Sequence, residues 1–134
     1  RFSSAVNPPV ALNSYLLDQI FVAHCGMQSR ETLTPMLHIQ LAKDASMANV
    51  MRNAQSAMLI AGGEHVRADT GAPWHLKQIQ TDANMLIVQL IEIKADQATA
   101  DSYIEKAGKA DFYWFTSATP DKNYCADVKG KAAK

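Results

Sequence analysis

Apolar residues recur at helical spacing through the first half of the chain and gather into short unbroken runs through the second. Tyr15, Leu16, Ile20 and Ala23 predict a helix from Asn13, as N-cap, to about His24, stopped by Gly26. Thr34 followed by Pro35 reads as an N-cap and first helical position. The helix it opens runs to about Gln55. The apolar run 57–61, bounded by Gly62 and Gly63, predicts a buried strand. Pro73 opens a short helix holding Trp74, Leu76 and Lys77. MLIVQLIEI, 85–93, predicts a second buried strand and DFYWFTSA, 111–118, a third. Between them lies a helix over 97–107, with Tyr103, Ile104 and Ala107 inward and Gly108 at its end.

The alternation of strand and helix from residue 57 on implies an α/β fold, part of a mostly parallel sheet with flanking helices. The earlier helices add a smaller helical layer. The expected organisation is a linker over 1–12, a helical subdomain over 13–56, an α/β part over 57–120 and an irregular tail over 121–134. Three strands make a small sheet, so the α/β part reads as the C-terminal half of a larger sheet domain.

Composition narrows the class. Hydrophobic residues at 48% and charged residues at 19% are those of a globular chain rather than a disordered one. Lys plus Arg and Asp plus Glu both total 13, so the electrostatic footprint of a nucleic-acid binder is missing. Lys129, Lys131 and Lys134 read as a solvated end. No apolar run approaches the roughly 20 residues of a membrane span. The chain starts at Arg1 rather than Met, which predicts processing or a piece of something longer. Cys25 and Cys125 form no CxxC motif; two buried thiols and one long-range disulfide both remain open.

Candidate chemistry concentrates in AMLIAGGEHVRADTGAPWHL, 57–76. Ligands of open α/β sheets collect beyond the carboxyl ends of strands, where Gly62 and Gly63 would sit. His65 follows at that mouth and can bind a metal, move a proton or bond a carboxylate. Arg67 offers a planar fork suited to carboxylates or phosphates. Glu64 adds negative charge. Asp69 reads as a cap of the turn before Gly71, and His75, beside Trp74, as either half-buried or a ligand. His24 reads as a helix-end cap or a ligand, and His38 as surface or interface. Asp44 shares an apolar helix stripe with Leu37, Gln40, Leu41, Met47, Ala48 and Met51, which is costly unless the carboxylate is paired or faces a cleft. P-loop, GxSxG and HExxH patterns are missing.

Four blocks in order carry a family resemblance: AHCG (23–26), QLAKDASMA (40–48), LIAGGEHVRADTGAPWHL (59–76), and ADFYWFT followed by Cys125. Over residues 20–127 the chain resembles the C-terminal half of the ChaN-like iron-regulated lipoproteins, a haem-binding branch of the superfamily that includes erythromycin-esterase-like and Tiki-like proteins. The resemblance implies an extracytoplasmic, non-enzymatic haem-binding protein of iron acquisition, periplasmic or attached to the outer membrane through a lipid anchor outside this chain. It implies a homodimer around haem, with a tyrosine on the iron and basic side chains on the propionates. The positions carried over are His65, Arg67, Asp44 and Lys43, with Glu64 and His75 beside them and no catalytic residue. Lys43 replaces the usual arginine, and Thr70 stands where the family has the tyrosine. Tyr15, Tyr103, Tyr113 and Tyr124 are substitutes without a motif. The oxidising location implies a Cys25–Cys125 disulfide. The family's N-terminal half, with its own Gly-Glu-x-His type motif, is the expected partner, and half of the cleft would come from it. The alternatives are a metal-assisted hydrolase of the same superfamily, using His65, Glu64 and Asp44, and an inactive fragment.

Overall fold

A computed structural model describes residues 8–93, 99–117 and 124–127. The fold is α/β: helix α1 (Val10–Ala23), helix α2 (Arg30–Arg52), a 3-10 turn (Gly63–Val66), helix α3 (Ala72–Ile79), strand β1 (Val88–Glu92), helix α4 (Ala100–Ala107) and strand β2 (Phe112–Thr116).

Both long helices start earlier than their motifs suggest. Pro9, not Asn13, occupies the N-cap of α1, and its carbonyl accepts from the amides of Leu12 and Asn13. Asn13 lies inside the helix, with its amide nitrogen toward the Pro8 carbonyl. Ser29, not Thr34, caps α2 by accepting from the Thr32 amide at 3.3 Å. A hydroxyl six positions upstream of a proline can start the helix because a proline near the N-terminus removes only one backbone bond. The helix ends at Arg52, short of Gln55. Pro73 falls in the first turn of α3, where proline is well placed.

The sheet has two strands among the described residues, paired in parallel with Val88 opposite Phe112 and Glu92 opposite Thr116. Residues 57–61 carry no regular secondary structure and pair with no described residue, so the first expected strand is not formed among the described residues. An apolar run becomes a strand only when a neighbour supplies ladder bonds, and no described residue does so there. β1 is also not buried on both faces: Gln89 and Ile91 point inward while Val88 and Leu90 are exposed. α4 begins at Ala100 and buries Tyr103, with Ile104 and Ala107 half-buried. Of the expected irregular tail only 124–127 is described, and it is helical; Lys129, Lys131 and Lys134 lie outside the described residues.

Two apolar clusters hold the layers together. Leu12, Leu16 and Leu37 join α1 to α2, with Trp74 packed on them from α3. Ala48, Leu76 and Ala83 join α2 to α3, with Met51, Ile79 and Met85 around them. Each leucine so buried stabilises by roughly 1.5–3 kcal/mol. The Cys25–Cys125 disulfide ties the end of α1 to the C-terminal segment across 100 residues.

Candidate functional site

The polar cluster forms where α1, α2 and the 3-10 turn meet. The turn packs against β1, and Gln89 donates its side-chain amide to the Gly63 carbonyl at 3.0 Å. The Ala68 amide donates to Lys109, just before β2. The cluster therefore lies beside the amino-terminal parts of the paired strands, where the carboxyl ends were expected. The unpaired state of 57–61 accounts for this, because the strand-end rule needs a strand in the ladder. Gly71 is required for the turn to fold back: a Cβ there would overlap the His65 carbonyl.

Asp44 is fully buried on α2, and its carboxylate lies 2.5 Å from Nδ1 of His65. Gln40, one turn earlier, puts its amide nitrogen 3.4 Å from the other Asp44 oxygen and 3.0 Å from His65 Nδ1. Burial pushes the Asp44 carboxyl above its ordinary range, while the bonds from His65 and Gln40 pull it back. In the neutral ring with the Asp44 carboxylate accepting, Nδ1 carries the proton and Nε2 the lone pair; the Gln40 amide, itself a donor, then bonds Asp44 and not Nδ1. No described residue bonds His65 Nε2, and a quarter of the side chain is open to solvent. The helix stripe that carries Asp44 thus presents an oriented imidazole.

Arg67 belongs to a second, adjoining network. Its Nε and Nη2 donate to the two oxygens of Asp69 at 3.0 Å, and Nη1 donates to Tyr15 Oη and to the Lys106 carbonyl. Its guanidinium also lies over the Tyr15 ring, 4.6 Å from the centroid. Only 6% of the residue is exposed. Asp69 accordingly pairs with Arg67. Tyr15 donates to Glu64 at 3.3 Å, and its phenol is pushed up to about 12, by burial first and by Glu64 second. It is therefore a protonated, engaged hydroxyl at neutral pH. Gly108 makes room for Arg67: its φ of 78° suits glycine, and a Cβ there would fall on the guanidinium.

The other candidates disperse. Lys43 adjoins Asp44 in sequence but lies on the exposed side of α2, about 100° around the helix. Glu64 faces Tyr15 and, at 4.0 Å, Arg67. Thr70 is buried, with its hydroxyl unpartnered among the described residues. Tyr103 is buried and stacks edge-on with Phe115, Tyr113 donates to the Gly108 carbonyl, and Tyr124 is exposed. His24 Nδ1 approaches the Ile20 carbonyl at 2.7 Å, and His38 is exposed. Tyr15 and Gln40 are the site members that spacing alone does not pick out. Both sit on helix faces that look like ordinary packing.

His75 is 6% exposed, edge-on to Trp74, with Nε2 unpartnered among the described residues. Burial lowers its pKa below 6.5. The unfolded chain then binds more protons than the folded one as pH falls through 6.5, so acid weakens the fold. Urea unfolding from pH 7.5 to 5 is expected to show a downward slope for the native chain, and a shallower one for His75→Gln.

Among the described residues no group of three or more His, Cys, Asp or Glu side chains is arranged to hold a metal ion, and no helix is long and apolar enough to cross a membrane. Residues 3–76, more than half of the chain, match the family model described as "Haem-binding uptake, Tiki superfamily, ChaN". No curated protein and no solved structure matches the chain.

Proposed function

This chain belongs to the haem-binding uptake family of the Tiki superfamily, ChaN, and from that premise we propose that it binds haem outside the cytoplasm for iron acquisition, with His65 as the residue nearest the iron. The observation that carries the reading is the Asp44–His65 pair. A ligating histidine typically gives its second ring N–H to a carboxylate, which fixes the ring and raises its basicity. Asp44, with no exposed surface, holds His65 in that manner and leaves Nε2 as a lone-pair donor.

The donor set fits haem in part. His65 would supply a nitrogen ligand at the position of the 3-10 turn, and Asp44, itself bonded by Gln40, would hold it against rotation. Arg67 does not fit as a propionate partner, because all three of its nitrogens are engaged and it is buried. Lys43, exposed on α2, is the motif cation that remains open to an anionic group. Haem bound here would supply an iron centre as cargo rather than as a catalyst. The disulfide supports an oxidising compartment, since such bonds persist outside the cytosol, and the extracytoplasmic, iron-regulated, lipid-anchored setting is proposed with it.

The test is a haemin titration followed at the Soret band. The native protein is expected to shift the band with saturable stoichiometry. Asp44→Asn is expected to weaken binding roughly 10- to 100-fold, and His65→Ala at least as much. No shift with the intact protein overturns the reading; an unchanged His65→Ala affinity overturns the site. Sedimentation with and without haemin tests the proposed homodimer, and co-expression tests whether an N-terminal half completes the cleft.

The same pair favours a second reading. A carboxylate-oriented histidine with a free Nε2 is also the geometry of a general base. A hydrolase predicts ester or peptide turnover that disappears in His65→Ala, with zinc or manganese found by elemental analysis.

A further inference from the structure

The charge in direct contact with the His65 ring is negative. Asp44 lies 2.5 Å from Nδ1 and has no exposed surface. Each of its oxygens accepts from a donor, Oδ1 from His65 and Oδ2 from the Gln40 amide at 3.4 Å. A protonated carboxyl would need an acceptor for its own proton, and with the ring proton on Nδ1 neither partner offers one, so the group is the carboxylate. The basic residues of the motif do not offset it. Arg67 gives its charge to Asp69 through two bonds at 3.0 Å, and Lys43 lies on the exposed side of α2. Glu64, the residue before His65, is itself anionic and accepts from Tyr15.

A carboxylate shut off from water keeps its full charge at the ring. It also changes the ring. A carboxylate that accepts the proton of one imidazole nitrogen makes the other nitrogen a stronger, more anionic donor. The two oxidation states of haem differ in what they gain from such a donor. Within the porphyrin dianion, ferric iron leaves one positive charge and ferrous iron leaves none. A donor with anionic character stabilises the charged centre more than the neutral one, and hydrogen bonding behind an axial ligand is one of the means by which a protein sets the potential of haem iron.

We propose that the site selects ferric over ferrous haem, through the buried Asp44 carboxylate behind His65. The inference rests on the haem reading above and adds to it the oxidation state of the cargo. Asp44 is a positioning residue here, because its effect on ligand choice passes through the imidazole. Binding and reduction are linked, so each tenfold preference for the ferric form lowers the potential of the bound iron by about 59 mV.

Haemin and dithionite-reduced haem are titrated anaerobically into the intact protein, and the potential of the bound haem is read by spectroelectrochemistry. The native protein is expected to bind haemin tighter than reduced haem by about 10-fold or more, and Asp44→Asn to lose most of that ratio. Gallium(III) and zinc(II) protoporphyrin repeat the charge difference without a reductant, so the Cys25–Cys125 disulfide stays closed. Asp44→Asn is expected to weaken the gallium(III) complex more than the zinc(II) complex. Gln40→Leu takes a donor from the carboxylate and leaves more of its charge on His65, so it is expected to lower the potential further. That variant decides the matter if Asp44→Asn fails to fold, and an unchanged or raised potential in it overturns the proposal. Equal affinities for haemin and reduced haem in the native protein overturn the proposal and leave the haem reading standing. An equal loss of both forms in Asp44→Asn does the same, because it reduces Asp44 to a support of the fold. Binding of neither form overturns the haem reading, and the proposal with it.

Discussion

Replacing Arg67 by methionine is expected to destabilise the fold by about 3–5 kcal/mol, the usual cost of removing one partner from a buried ion pair. The reason lies in what the guanidinium leaves behind. Asp69 loses both of its bonds, the Lys106 carbonyl loses a donor, and Tyr15 is left donating to Glu64 with no cation beside it. Asp69 is 31% exposed, so water recovers part of the loss and the lower end of that range is expected. Arg67→Lys keeps the charge but cannot bond two oxygens of Asp69 and the Lys106 carbonyl together, so it is expected to fall between. Urea unfolding measures this. A role in ligand binding alone predicts native stability with lost haemin affinity, so stability unchanged in Arg67→Met would falsify the structural assignment.

The second large effect is expected from the disulfide. Opening Cys25–Cys125 frees a loop of 100 residues, and in the loop-entropy account this lowers stability by ~4.7 kcal/mol. Cys25 adds a local consequence. Its φ of 59° and that of Gly26, 63°, put two left-handed residues in succession after α1, a conformation that costs a non-glycine residue about 1–3 kcal/mol. Once the bond is opened, nothing covalent holds Cys25 there. Thermal unfolding of Cys25→Ser/Cys125→Ser, compared with the native chain with and without reductant, tests it. The double variant and the reduced protein are expected to melt together, well below the oxidised protein. Coincident melting of all three would remove the disulfide from the stability of the fold.

Both effects bear on the candidate site. Tyr15 reaches the cluster from α1, the helix whose far end the disulfide anchors, and Arg67 joins that helix to α4. The Asp44–His65 pair is built on α2 and the 3-10 turn between them. Loosening either restraint is expected to spread the helices that hold His65, so haemin affinity should fall with stability in those variants, whereas Asp44→Asn should separate the two.

Much of this arrangement was legible along the chain. The helical spacing around Leu16 and Leu37 and the Pro73 start of α3 are local properties, governed by periodicity and capping. The parallel pairing of 88–92 with 112–116 follows from two apolar runs with a helix between them. Asp44 stood out because a carboxylate in an apolar stripe demands a partner, and His65 stood out behind paired glycines. Their meeting at 2.5 Å is a tertiary fact, since 21 residues separate them and no spacing rule links a helix stripe to a turn.

What the tertiary structure alone decided is which polar groups remain available. Arg67 and His65 are near neighbours with similar motif standing, yet one is buried in bonds to Asp69, Tyr15 and Lys106 while the other keeps a free nitrogen. That difference depends on α1 and α4 arriving from 52 and 39 residues away. Whether 57–61 is a strand was likewise beyond the sequence, because a strand is defined by its neighbour's hydrogen bonds and not by its own side chains. By itself the chain determined the helices, the parallel pair of strands, the membership of its family and the residues rich in chemistry. Packing decided which of those residues are spent on holding the fold and which still face a ligand.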